Sequence, residues 1–328
     1  MTDRQWEPVF LTPYFQQNLW GGRRLAEEFG FAIPDGAVGE CWSVSGYPGR
    51  ESVISDGPYA GRTLSAFWEE APDFFGSLPE AYRAAGYPFI TKIIDAREDL
   101  SIQLHPDDAY AAEHENGARG KTECWYILDC PEDCKLVLGH HAGSREEFAR
   151  MIGEGRWSRL LRRLPVRKGD FIQLEPGTLH SITAGVLLLE TQQSSDITYR
   201  VYDYDRLENG KPRPLHIAQS IAVAAIPARD PARLVRHTDG DPAGKLTELV
   251  RCGYYRVFHL PVLSRAALDG ADCFRICTVT EGEGWLIMTE NRRRPLHKGD
   301  SFLLPAGAGR MEVAGRLDLI VTEPVLPV

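Results

Sequence analysis

The sequence predicts a mainly β protein: two jelly-roll-type β-barrels in tandem, with short helical insertions. Three observations predict it. Short apolar runs recur along the chain between 31 glycines and 22 prolines, a punctuation that suits many short strands better than long helices. Several of these runs alternate apolar and polar residues, as half-buried strands do. One piece of turn grammar occurs twice. Arg167-Lys168-Gly169-Asp170 leads into Phe171–Leu174 and Pro176-Gly177, and His297-Lys298-Gly299-Asp300 leads into Ser301–Leu304 and Pro305-Ala306-Gly307. Such an internal repeat marks duplicated β modules. A chain of 328 residues has room for about two domains. We expect one over residues 1–235 and a second over 236–328.

The elements follow in order. Residues 1–60 read as irregular structure and short strands, with a short helix over Arg24–Phe29 and an alternating strand over Gly39–Ser45. On that strand Glu40, Trp42 and Val44 share a face. Residues 63–86 carry apolar positions at helical spacing (Leu64, Phe67, Trp68, then Phe74, Phe75, Leu78), divided by Pro72 and Pro79 into short helices. Strands are expected at Pro88–Asp95, Leu100–His105, Glu123–Leu128 and Lys135–Leu138. Ser144-x-x-Glu147 is a capping box opening a helix with Phe148, Met151 and Ile152 on its apolar face. A basic helix over Trp157–Leu164 follows, with Arg159, Arg162 and Arg163 read as a solvated face. Further strands are expected at Phe171–Leu174, Val186–Thr191 and Ile197–Asp205, a helix near Leu215–Ala225, and a linker over 226–242. The second set of strands lies beyond the linker.

Composition narrows the function. A net charge of -9 argues against a nucleic-acid partner, which usually meets a basic surface. No run approaches the roughly 18 apolar residues of a membrane span, and the first residues lack an apolar signal core. The expected location is the cytoplasm. The seven cysteines are an odd number without a secretory context, against a disulfide framework. Cys130-x-x-x-Cys134 and Cys273-x-x-x-Cys277 lack a partner pair at zinc-finger spacing.

The chemistry concentrates on Leu100–Asp108. Extended, this stretch puts Ser101, Gln103 and His105 on one face and Leu100, Ile102 and Leu104 on the other. Gln103 and His105 can be aimed at one ion. Glu123 opens the next strand, and His180 follows the turn at Pro176-Gly177. Imidazole nitrogen and carboxylate oxygen suit zinc, and an incomplete protein ligand set suits a catalytic site. The other seven histidines lack this context and are read as surface or structural. On an extended Ile197–Asp205, Arg200 shares a face with Tyr202 and Tyr204. Its planar fork suits a phosphate or oxyanion, and an ion pair with a nearby carboxylate is the equal alternative. Lys121 stands two residues before Glu123.

Four blocks in order, Leu100-Ser-Ile-Gln-Leu-His-Pro-Asp-Asp108, Gly120-Lys-Thr-Glu-Cys-Trp-Tyr126, Glu175-Pro-Gly-Thr-Leu-His-Ser-Ile182 and Leu188-Leu-Glu-Thr-Gln-Gln-Ser-Ser-Asp-Ile-Thr-Tyr-Arg200, resemble the short bacterial form of type I mannose-6-phosphate isomerases. Trp20-Gly21-Gly22, Gly39-Glu40-x-Trp42 and Pro88-Phe89-x-x-Lys92 fit as well, so the resemblance covers most of residues 10–220. It implies tandem cupin-type barrels and a zinc enzyme, one ion per chain, interconverting mannose 6-phosphate and fructose 6-phosphate through an enediol(ate). It implies Gln103, His105, Glu123 and His180 as zinc ligands, with Gln103 the least constrained. It implies Arg200 as the catalytic arginine with Asp196 as its nearby acid, Lys121 as the lysine beside the metal glutamate, and Ser101 near the substrate phosphate. Lys121, Asp196 and Glu40 remain candidates for moving the proton. The second module departs from the pattern. Gly309-Arg310 stands where a ligand histidine would follow Pro305-Ala306-Gly307, so a metal-free cupin with a packing or oligomerisation role is expected there. The partner is then a small sugar phosphate, and a homo-oligomer is compatible with it. Three alternatives remain open: a cupin isomerase of another sugar, a sugar-binding cupin without catalysis, and a metal-dependent dioxygenase.

Overall fold

The computed structural model of the chain describes residues 6–289 and 291–326. The strand pairs described below are antiparallel, and the longest helix among the described residues is only Arg145–Gly153. The chain packs as two compact units, each discontinuous in sequence. One consists of Phe15–Glu40 and Ile94–His237. The other takes the residues up to Tyr14, Cys41–Ile93 and the chain from Thr238 on. Where the sequence reading draws a single boundary at residue 235, backbone pairing adds N-terminal residues to the C-terminal strands. Val9–Thr12 pairs with Ser301–Leu304 on one side and Val53–Ile54 on the other.

In the first unit, Val235–His237, Asp170–Leu174, Glu123–Asp129 and Leu187–Gln193 run side by side in that order. A second sheet runs Tyr199–Tyr202, Ile102–Leu104, His180–Ser181, Lys135–His140, Leu161–Pro165. Trp125, Ile127, Ile172, Leu174 and Leu188 from the first meet Leu136 and Leu138 from the second in one buried cluster. The opposite face of the second sheet, with Ile102, Leu104, Val137, Tyr199 and Val201, packs against Phe148, Met151, Ile152 and Leu160. The helix Arg145–Gly153 that supplies three of those residues begins as expected, with the Ser144 hydroxyl accepting from the Glu147 amide at 3.1 Å.

The other unit includes a nine-stranded sheet wrapped around its own core, together with the short helices Leu64–Glu70, Pro72–Phe75 and Glu80–Ala84. Tyr255–Val262, Met311–Pro324 and Arg275–Thr289 are its long strands. Phe258, Leu260, Val279, Phe302, Val313, Leu319 and Val321 fill the interior. The repeated turns prove to be the same structure. Gly169 and Gly299 both take φ near +90°, a region that favours glycine. Asp170 Oδ2 accepts from the Arg167 amide at 3.0 Å, and Asp300 Oδ2 from the His297 amide at 2.7 Å.

Four expectations are corrected. The strand predicted over Leu100–His105 is only Ile102–Leu104, and Leu100, expected on the face of Ile102 and Leu104, packs instead in the cluster of Trp125 and Ile127 because regular strand pairing begins only at Ile102. The helix predicted over Trp157–Leu164 stops at Leu160 and continues as the strand Leu161–Pro165, because pairing with Lys135–His140 overrides local propensity. The strand predicted over Ile197–Asp205 is only Tyr199–Tyr202, ended by left-handed backbone at Tyr204 and Asp205. A register shift between Arg200 and Tyr202 also turns Tyr202 away from Arg200. Tyr202 packs outward and stacks on Trp157 with ring centroids 4.6 Å apart. The linker carries a strand of its own, Val235–His237. All seven cysteines are free. Among the described residues no helix is long and apolar enough to cross a membrane.

His140 is structural, as expected, and buried, with Nε2 3.1 Å from the Ala225 carbonyl and its ring against Phe148. Burial holds its pKa below the ordinary imidazole value. Below pH ~6.5 the unfolded chain therefore binds a proton that the folded one does not, and stability falls as pH falls, by at most about 1.4 kcal/mol per pH unit for one proton. Denaturant unfolding between pH 5 and 7.5 should show a shallower slope in His140→Asn than in the parent; equal slopes would refute the assignment.

Candidate functional site

The strand Ile102–Leu104 lies between two others, and its register sets Gln103 opposite His180 on one side and Arg200 on the other. Directly paired residues of an antiparallel ladder project from the same face, so Arg200, Gln103 and His180 form a row. Since Ile102, Leu104, Tyr199 and Val201 occupy the helix-covered face, the row points into the sheet pair. Glu123 opens the facing strand, two residues from the inward Trp125. His180 is delivered by the turn at Gly177, whose amide donates to the His105 carbonyl at 2.8 Å. Gly177 has φ +77°, and a Cβ there would stand 2.4 Å from the Val223 carbonyl oxygen, so no other residue fits.

Register and turn bring His105, Glu123 and His180 together. All three are buried, and one ligand atom from each lies within 4.8 Å of the others. His105 Nε2 is 3.5 Å from Glu123 Oε2, and His180 Nε2 is 3.3 Å from Glu123 Oε1. The outer nitrogens are committed: His105 Nδ1 donates to the Ile197 carbonyl at 2.7 Å, and His180 Nδ1 to the Thr178 carbonyl at 2.9 Å. Backbone acceptors of this kind fix the tautomer, leaving each Nε2 lone pair directed inward. Burial pushes the His180 pKa down to about 4, so its ring is neutral. His180 Nε2 is buried without a hydrogen-bond partner. Beside Glu123 and His105 that free lone pair is available to a metal ion, whereas the equally unpartnered Nδ1 of His140 belongs to no such group of three ligand-type residues among the described residues.

Lys121 enters the same cluster. Its Nζ lies 2.6 Å from Glu123 Oε2, 3.3 Å from His105 Nε2 and 3.9 Å from Glu190 Oε1. Because an ammonium only donates, His105 Nε2 accepts, and this ring too is neutral. Burial alone would lower the Lys121 pKa, but the adjacent carboxylates of Glu123 and Glu190 outweigh it and raise it, with Asp196 adding to the effect. Glu190 is a residue that the sequence reading missed. It is buried, and its Oε2 accepts from Trp125 Nε1 at 2.9 Å. The signal was available: a carboxylate closing the run Leu187-Leu188-Leu189 has no place in an apolar core unless it is paired.

Two buried carboxylates, one ammonium and two neutral imidazoles give these groups a net negative charge, which favours a bound cation, and the nitrogen and oxygen donors suit a divalent metal. Gln103 stands beside His180 in the row, with Oε1 accepting from Ser101 Oγ at 3.1 Å. Arg200 makes no salt bridge among the described residues; Nη1 donates to the Pro214 carbonyl at 3.1 Å, while Nε is buried without a partner. The ion-pair alternative for Arg200 is thus not realised. Asp196 lies half-buried on the loop before Tyr199–Tyr202, and Glu40 half-buried on the strand Val38–Ser45.

Comparison with known proteins gives the family. A family model described as phosphomannose isomerase type I, catalytic domain, matches residues 9–126, and one described as mannose-6-phosphate isomerase, cupin domain, matches residues 245–324. Mannose-6-phosphate isomerase ManA of Bacillus subtilis is 44% identical over 318 residues, 97% of this chain and 99% of the relative. The chain belongs to the type I mannose-6-phosphate isomerase family. The family member of Streptococcus mutans is 38% identical across 97% of this chain and 98% of its own. The crystal structure of the mannose 6-phosphate isomerase from Bacillus subtilis superposes with a TM-score of 0.87 at 41% identity, covering 97% of this chain and all of that one. Membership bears out the cupin reading of the C-terminal strands. There Arg310, three residues after Gly307 as His180 is after Gly177, is exposed and lies 3.9 Å from Asp269.

Proposed function

We propose that this chain interconverts mannose 6-phosphate and fructose 6-phosphate, with one zinc ion per chain held by His105, Glu123 and His180 and by Gln103 as the fourth ligand. The observation that carries this reading is the convergence of two neutral imidazoles, Glu123 and Lys121 inside a chain of this family. Zinc suits the nitrogen and oxygen donors, and when bound it supplies positive charge that polarises the sugar oxygens.

The chain's own residues do the rest. Isomerisation moves a proton between C2 and C1 through a cis-enediol(ate), with negative charge growing on oxygen. Arg200, whose Nε–H lacks a partner, is assigned to that charge, and a preorganised donor there costs no reorganisation during reaction. Lys121 is assigned as the ammonium that contacts the reacting oxygens, and Asp196 as the carboxylate that takes and returns the proton. Ser101, which precedes the strand Ile102–Leu104 as His105 follows it, is assigned to the phosphate end of the sugar.

Metal analysis of the purified protein, combined with an isomerase assay on mannose 6-phosphate, tests this. The expected result is close to one zinc per chain, turnover to fructose 6-phosphate, and loss of both on chelation with recovery on added zinc. Full activity after chelation would refute the metal. Turnover of free mannose but not of its phosphate would transfer the site to another sugar.

A further inference from the structure

Residues 203–216 leave the strand Tyr199–Tyr202, turn back through a small hairpin and return to the strand. Leu207–Glu208 pairs with Lys211–Pro212 in an exposed two-stranded ladder. Tyr204, Asp205 and Asn209 all have φ near +55°. Three non-glycine residues in that region cost energy and persist only where their surroundings over-determine them.

Asp203 is what over-determines them. Its buried carboxylate accepts from Arg206 Nη2 at 2.6 Å, Arg213 Nε at 2.8 Å and Arg213 Nη2 at 2.5 Å. Arg206 precedes the hairpin and Arg213 follows it, so one carboxylate holds both ends. Arg206 Nη1 also donates to the Asp99 carbonyl at 2.6 Å, tying the clamp to the chain just before Ser101. Immediately after Arg213 the chain reaches Arg200. The Pro214 carbonyl accepts from Arg200 Nη1 at 3.1 Å, His216 Nδ1 accepts from the Arg200 amide at 3.2 Å, and the His216 amide donates to the Arg200 carbonyl at 2.8 Å. The orientation of the Arg200 side chain therefore rests on a carbonyl one residue beyond the clamp.

Charge points the same way. Arg206 and Arg213 pair with one carboxylate, and Arg200, which does not, lies close enough to feel all three charges. Besides burial, the Arg213 cation disfavours the charge on Arg200, and Asp203 offsets it. Hydrogen bonds from Arg213 and Arg206 in turn hold the Asp203 carboxyl below its usual range against the opposing effect of burial. Without the carboxylate, two like charges would push against the third across a partly dry interior.

We propose that Asp203 is a positioning residue for the isomerisation: by clamping Arg206 and Arg213 it holds Pro214 and His216 against Arg200 and aims that guanidinium at the reacting sugar. This rests on the reading of Arg200 given above.

The test is a double-mutant cycle on the zinc-loaded enzyme, measuring kcat and KM for mannose 6-phosphate in the parent, Asp203→Asn, Arg200→Ala and the double variant. A misplacement of about 1 Å costs roughly 10²-fold, and a drop in kcat of that order is expected in Asp203→Asn with zinc content unchanged. The double variant should be no slower than Arg200→Ala alone, because nothing remains to position. Should Asp203→Asn fail to fold, Arg213→Lys decides. It keeps the charge and loses the two-pronged fork, and a smaller drop is expected that also vanishes in the Arg200→Ala background. Multiplicative losses in the double variant would mean a general structural role and overturn the proposal. An undiminished kcat in Asp203→Asn, with Arg200→Ala slow, would overturn it alone. Parent-like activity in Arg200→Ala would remove the reading of Arg200 as well.

Discussion

His105→Ala is expected to release the metal and to lower kcat by about 10³-fold or more. His105 offers an inward Nε2 whose direction is set by the Nδ1 bond to the Ile197 carbonyl, and alanine leaves a cavity with no donor. A bound cation supplies several kcal/mol of charge stabilisation in such reactions, and each 1.36 kcal/mol is a factor of ten. Zinc stoichiometry and turnover should fall together. A variant that keeps one zinc per chain would remove His105 from the ligand set, whatever its activity.

Lys121→Met should affect stability and catalysis in different ways. In the metal-free protein Lys121 is the cation closest to Glu123, and it also faces Glu190; both carboxylates are buried. Removing one partner of a buried ion pair costs about 3–5 kcal/mol, since the remaining charge stays desolvated. The metal-free variant should be destabilised by that amount in denaturant unfolding. Zinc should restore most of the loss, because its charge compensates the same carboxylates. Activity should not return with stability: a preorganised donor to the oxygen that gains charge contributes about 10²–10³-fold, and a zinc-loaded variant remains slow by that factor. Metal-free stability equal to that of the parent would show that Lys121 does not neutralise the cluster.

Local chemistry was legible from the sequence wherever neighbours in the chain decide it. Ser144 caps its helix and the two Lys-Gly-Asp turns recur with the same hydrogen bonds, because both depend on residues within three or four positions. The alternation within Ile102–Leu104 was legible for the same reason, but it did not extend to Leu100, which packs on the other side. The basic segment after Trp157 was misread because its second half gains more from a strand partner than from helix propensity. Arg200, Tyr202 and Tyr204 were given one face because a register shift leaves no mark on an alternating pattern.

By itself, then, the chain determined its mainly β class, its turn chemistry and the residue types of a zinc-suited set. Turns, caps and strand alternation are short-range consequences of φ, hydrogen bonding and period two. Only the tertiary structure decided that Gln103 faces His180 and Arg200 across the sheet, that Glu190 joins Lys121 and Glu123, and that Asp203 clamps the segment which holds Arg200. The first of these joins positions 97 residues apart, Gln103 to Arg200, through strand register, and register is set by packing and pairing partners that no local window contains.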